Sequence, residues 1–100
     1  MNLRLVVEPE VDADIAGAQA WYRERSLVSS ERFLEAAQES LLPIAQNPFQ
    51  YQVIFGRYRK AMVRPFPYAF IYTTTDNEIV VVACTHGSRH PKRWQERIPA

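Results

Sequence analysis

One hundred residues, of which 47% are hydrophobic, 12% aromatic and 23% charged, fit one globular domain and exclude intrinsic disorder. Three glycines without a G-X-Y period exclude a collagen-like chain, and a single cysteine, Cys84, excludes a disulfide scaffold or a cysteine-rich zinc module. The formal charge of +1 hides an asymmetry: residues 1–50 carry four Lys/Arg against eight Asp/Glu, a net −4, whereas residues 51–100 carry eight against three, a net +5. A basic half suits an anionic partner, nucleic acid or an acidic protein surface; alternatively, basic strands neutralise acidic helices within the fold. The longest apolar run, Ile79 to Cys84, is too short to span a bilayer. The start, Met1-Asn2-Leu3-Arg4-Leu5, lacks a basic-then-apolar signal region, so a soluble cytoplasmic protein without a membrane partner is expected.

The first element, Leu3 to Val7, alternates and then runs apolar, as a strand does. Pro9 follows at a plausible first helical position, and Glu8, Glu10 and Asp12 place negative charge near the positive end of a helix dipole. Asp14 has the same explanation. Val11, Ile15, Ala18 and Tyr22 recur at helical spacing, which predicts a helix over about Pro9 to Arg25, weakened slightly by Gly17. Ser26 to Ser29 reads as a polar connection, with Ser29 or Ser30 capping a second helix. Phe33, Leu34, Ala37, Leu41 and Ile44 form the apolar face of that helix, Pro43 predicts a kink or a looser last turn, and Asn47-Pro48 ends it.

The period then switches from 3.6 to 2. Tyr51, Val53 and Phe55 mark a short strand before Gly56, and Arg57 to Arg64 a second, broken by Pro65-Phe66-Pro67-Tyr68. Ala69 to Thr74 is β-branched and aromatic; Thr75-Asp76-Asn77-Glu78 is a turn with Asx character. Ile79 to Thr85 is apolar throughout, which predicts a central strand buried on both faces. The tail, His86 to Ala100, is basic, with a short helix expected after Pro91 and Trp94 anchoring it on the core. The expected fold is α+β: a two-helix antiparallel hairpin packed on one face of a mostly antiparallel sheet, in the order β-α-α-β-β-β-β, a single domain over residues 1–100.

Several segments, in this order, resemble the RelE/ParE superfamily of bacterial type II toxin–antitoxin toxins. They are Asp14-Ile15 with Ala20-Trp21-Tyr22, Glu31-Arg32-Phe33-Leu34, Asn47-Pro48, Arg64 through Tyr72, and Val81 through Pro91. The most specific part is Phe66-Pro67-Tyr68 with Tyr72, followed by the Val-rich strand and His86-Gly87-Ser88-Arg89. These leans favour ParE-like members. The resemblance implies a growth-inhibiting toxin of the plasmid-stabilisation type, neutralised by a cognate antitoxin that wraps a disordered, often acidic segment around its helices and sheet. It also implies one of two activities: gyrase inhibition without nuclease chemistry, or RelE-like cleavage of messenger RNA on the ribosome (an mRNA interferase). A degenerate toxin that retains only antitoxin binding is a third reading.

Metal-free RNA cleavage needs a base for the 2′-OH, an acid for the leaving oxygen and cations for the charged phosphorane. His86 is the best acid/base candidate, with His90 a weaker one, because imidazole titrates near neutrality. Arg64 and Arg89 can clamp a phosphate through their guanidinium forks. Arg57, Arg59, Lys60, Lys92 and Arg93 can track a nucleic-acid backbone or an acidic partner, and Tyr72 can stack on a base or donate a proton. Each has a structural alternative: a solvated strand face for the cations, a half-buried sheet position for Tyr68 and Tyr72, helix-to-sheet packing for Trp21 and Tyr22, and an inert core thiol for Cys84. The tail after Trp94 lacks the tyrosine that family ribonucleases commonly place near the C-terminus, and lysines number only two. That favours the ParE-like reading. No cofactor or metal is expected: His86 and His90 are four apart, but Gly87 and Pro91 argue against a helix that would bring them together.

Overall fold

The computed structural model describes residues 3–99; Met1 and Asn2 of the start that lacks a signal region, and Ala100 of the basic tail, lie outside them. The elements are β1 (Arg4–Val7), α1 (Pro9–Arg23), α2 (Leu27–Gln46), a 3-10 turn (Pro48–Gln50), β2 (Gln52–Phe55), β3 (Tyr58–Met62), β4 (Tyr68–Thr74), β5 (Glu78–His86) and α3 (Lys92–Gln95). This is the expected order, with the short terminal helix added. The five strands form one mixed sheet in the order β1-β5-β4-β3-β2, parallel only between β1 and β5.

Local chemistry sets the helix ends. Pro9 occupies the first turn of α1, where a missing N–H costs nothing, and Glu10 and Asp12 face the dipole. α1 stops at Arg23, two residues before the expected end. The cap of α2 is Ser26 rather than Ser29 or Ser30: its hydroxyl accepts from Ser29 N–H at 3.2 Å, so the helix starts within the segment read as a connection. Pro43 sits inside α2, which nevertheless continues to Gln46. The Pro43 carbonyl accepts from Asn47 N–H (3.0 Å) and Gln50 Nε2 (3.1 Å), which ties the helix end to the following turn.

The helical hairpin covers one sheet face. Phe33, fully buried, packs its ring centroid within 5.0 to 5.5 Å of Tyr22, Phe66 and Tyr68. Val11, Ala18, Ala37 and Ile44 join Val63, Phe70, Tyr72, Ile79 and Val81 in the same core. The central strand is β4, not β5. Tyr68 to Tyr72 are all buried, whereas β5 alternates, because its far face is covered only in part. A smaller cluster on that far face joins Ile71, Ala83 and Trp94, with Tyr58, Val82 and Ile98 packed against it; Trp94 therefore anchors the tail as expected.

The β4–β5 pairing contains one irregularity. Ile71 pairs with Ala83 but Tyr72 with Val81, leaving Val82 as an extra residue. A bulge of this kind shifts the side-chain alternation by one. Val81 and Cys84 consequently both belong to the helix-side core, and His86 comes opposite Tyr68 at the strand's end. The turn after β4 is built by Thr75, whose hydroxyl accepts from Asn77 N–H (3.3 Å) and Glu78 N–H (3.0 Å), in place of the expected Asx arrangement. In the β2–β3 turn Gly56 alone takes positive φ (55°), the conformation that favours glycine there.

Candidate functional site

The bulge and the β5 terminus place His86 in a depression of about 350 Å³ lined by Trp21, Tyr22, Pro67, Tyr68, Ser88 and Arg89. α1 supplies Trp21 and Tyr22, and β4 supplies Tyr68. The loop after β5 is held by Gly87 N–H donating to the Pro67 carbonyl (2.8 Å) and Arg89 N–H to the His86 carbonyl (3.0 Å). His86 stands edge-on to Tyr68, centroids 5.0 Å apart. Its Nδ1 accepts from Ser88 N–H at 2.9 Å, so the neutral ring carries its proton on Nε2. Burial raises the phenols of Tyr22 and Tyr68; Arg89 partly offsets the rise for Tyr68.

Of the other sequence candidates, Arg89 lines this depression and Lys60 shares a neighbouring hollow with His86 and Arg89, whereas the rest lie elsewhere. Arg64 lines a separate groove of about 480 Å³ between α2 and β3, with Glu39, Ser40, Tyr51, Lys60 and Met62. Lys60 borders both that groove and the far side of the His86 loop. Arg59 is half-buried, and its Nη1 donates to the carbonyls of Tyr51 (2.6 Å) and Phe49 (3.2 Å). It therefore fastens the segment before β2. Tyr72 is corrected outright: the ring is fully buried and its hydroxyl donates to the Pro48 carbonyl at 2.5 Å, so it neither stacks on a ligand nor offers a proton. Its phenol is pushed up to about 12, chiefly by burial. Arg57, Lys92 and Arg93 are exposed. His90 is exposed too, and its Nδ1 accepts from Lys92 N–H (3.1 Å) at the start of α3.

Asp14 is the residue whose role the sequence reading missed. Its Oδ2 accepts from Cys84 N–H (2.9 Å), and both carboxylate oxygens take Arg97 at 2.7 Å. Arg97 also donates to the carbonyl of Val82, the bulge residue, at 3.1 Å. One carboxylate thus joins α1, the outer edge of β5 and the tail. A signal was present: Asp14 lies on the stripe of Val11, Ile15 and Ala18, where an acidic side chain faces the sheet rather than water. Cys84, beside it, is buried and pushed up to about 12 by burial and then by the Asp14 charge, as suits an inert thiol.

The comparisons agree with this architecture. Residues 5–91 match the family model described as ParE toxin of type II toxin-antitoxin system, parDE. The chain is 29% identical over 99 residues to Toxin ParE2 of Mycobacterium tuberculosis, in both strains CDC 1551 / Oshkosh and ATCC 25618 / H37Rv, covering 98% of this chain and 94% of the relative. A solved structure described as the chromosomal ParDE TA system from P. aeruginosa superposes with a TM-score of 0.76 at 14% identity, over 84% of this chain and 95% of that one. The YoeB dimer from Staphylococcus aureus follows at TM-score 0.56 and 15% identity, over 86% and 98%. With its helical hairpin on a five-stranded mixed sheet and a family match across most of its length, the chain belongs to the ParE toxins of type II toxin–antitoxin systems.

Proposed function

We propose that this toxin arrests growth by inhibiting DNA gyrase in the cytoplasm and is held inactive by a cognate antitoxin. The observation that carries the reading is the separation of the candidate ribonuclease group: Arg64 borders the α2–β3 groove, while His86 and Arg89 border the depression beside Trp21. RNA cleavage requires base, acid and cations around one phosphate. Two of the residues available to supplement them, Arg59 and Tyr72, are spent on backbone carbonyls inside the fold. An inhibitor that acts by binding needs no such convergence. Among the described residues no helix is long and apolar enough to cross a membrane, in keeping with a target inside the cell.

The antitoxin reading rests on family membership and on the edge strand β2. Val53, Ile54 and Phe55 are all exposed there, with Phe49 beside them and Arg57 and Lys60 nearby. An unprotected apolar edge is a template for a further strand, and its cationic flank suits an acidic segment that orders on binding. The test is toxicity of induced His86→Ala in growing cells. Growth arrest equal to wild type, relieved by co-expression of the small gene adjacent to this one, is the expected result. Loss of arrest by a variant that still folds and still binds the antitoxin would favour the ribonuclease reading instead.

A further inference from the structure

β1 closes one end of the sheet and is bonded to a neighbouring strand on one side only. Arg4 N–H donates to the Asn77 carbonyl and Glu8 N–H to the Val81 carbonyl, each at 3.0 Å, so Arg4, Val6 and Glu8 turn their backbone groups toward β5. Alternation turns those of Leu5 and Val7 outward, where no partner meets them among the described residues. The side chains alternate in the same step. Leu3, Leu5 and Val7 pack into the helix-side core, which leaves Arg4, Val6 and Glu8 on the far face. Pro9, without an N–H, ends the open edge.

An unpaired edge is a template for another strand, and the charges on this one decide which. Opposite signs at its two ends, on Arg4 and Glu8, oppose a parallel copy, which would set like against like. Antiparallel pairing of the segment with itself has few registers. Centred on Arg4, it brings two guanidiniums together; centred on Leu5, it sets Arg4 against Val6; centred on Val7, it sets Val6 against Glu8 and Leu5 against Pro9. Centred on Val6, every pair matches. Arg4 faces Glu8 of the second copy, Val6 faces Val6, and Leu5 and Val7 exchange backbone hydrogen bonds in both directions. The rows of the far face then continue across the contact. Glu78, Arg4 and Glu8 of the second copy alternate in charge, and Val80 and Val6 meet their counterparts in one apolar row.

We propose that the open edge of β1 binds a second copy of this chain, antiparallel and two-fold about Val6, so that one sheet runs through both copies. A contact of this kind uses the same patch on each copy and closes on itself. β2, the edge assigned to the antitoxin, lies at the opposite end of the sheet and stays open. The contact concerns β1 alone, so its failure leaves the gyrase and antitoxin readings standing.

Sedimentation velocity of the purified full chain over about a hundredfold range of concentration measures the association. A monomer–dimer equilibrium is expected. Glu8→Lys and Arg4→Glu should each weaken it about tenfold or more, because each sets like charges against one another twice across the axis. Glu8 also precedes α1 and Arg4 also pairs with Glu78, so either reversal can loosen the fold. An equimolar mixture of the two variants separates the effects: it pairs Arg4 with Glu8 and Lys with Glu between unlike copies, and should associate within about threefold of wild type. Mixing does not repair a loosened chain. Amide exchange gives a second readout. The Leu5 and Val7 amides should exchange several-fold more slowly in the dimer than in the diluted monomer, while that of Val6, turned toward β5 in both, should not change. A monomer at every concentration, association that neither reversal weakens, or a mixture no tighter than its separate variants would overturn the proposal.

Discussion

Asp14→Ala removes three hydrogen bonds with one substitution, and their surroundings decide the cost. The two to Arg97 join a carboxylate that is 16% exposed to a guanidinium that is 31% exposed. Released, Arg97 rehydrates in part and keeps the Val82 carbonyl, so that pair contributes only about 0.5–1 kcal/mol. The third bond matters more. Without Asp14 the Cys84 N–H, on a buried strand residue, loses its acceptor, which costs about 1–3 kcal/mol. The expected loss is about 2–3 kcal/mol, equivalent to a fall of roughly 10–20 °C in Tm for a domain of this size. Asp14→Asn retains an oxygen for Cys84 N–H and should lose about 1 kcal/mol. Urea denaturation followed by circular dichroism measures the loss. In a double-mutant cycle with Arg97→Ala the two changes should couple by about 0.5–1 kcal/mol. Asp14→Ala within about 0.5 kcal/mol of wild type, or strict additivity with Arg97→Ala, would refute the clamp.

Phe33→Ala should cost about 3–5 kcal/mol by chemical denaturation, since it empties the place where Tyr22, Phe66 and Tyr68 meet. Tyr72 links stability to alkaline pH. Burial raises its phenol from 10.0 to about 12, so the folded state holds the proton longer than the unfolded chain does. The resulting stability is complete below about pH 10 and lost as pH climbs toward 12; Tyr72→Phe should flatten that part of the stability profile. Cys84 should resist a thiol reagent at pH 9 and react once denaturant opens the core, and rapid labelling of the folded chain would contradict its burial.

Periodicity made much of this fold readable. The stripe of α1, the face of α2 and the two-residue alternation after Pro48 are local patterns, and they yielded the element order and the layer arrangement. What they could not carry was any pairing set by tertiary contact. The Val82 bulge changes which face Cys84 and His86 occupy, yet nothing in Ile79 to His86 marks an extra residue. Burial of β5 was overestimated for the same reason, because apolar content alone does not reveal how much of the far face the tail covers. The Asp14–Arg97 pair spans nearly the whole chain; only the position of an acid on an apolar stripe hinted at it. Among the site candidates, Tyr72 was readable as core, since it alternates in step with Tyr68 and Phe70. Arg64 was not separable from His86 by sequence, because their distance apart depends on where α2 meets β3.

The measurement closest to the central claim is a gyrase supercoiling assay with the purified toxin, run beside messenger RNA cleavage on translating ribosomes, each with and without the antitoxin. The account predicts loss of supercoiling that the antitoxin reverses, with transcripts left intact. Antitoxin-sensitive cleavage with supercoiling unaffected would contradict it and make the His86–Arg89 depression a catalytic centre.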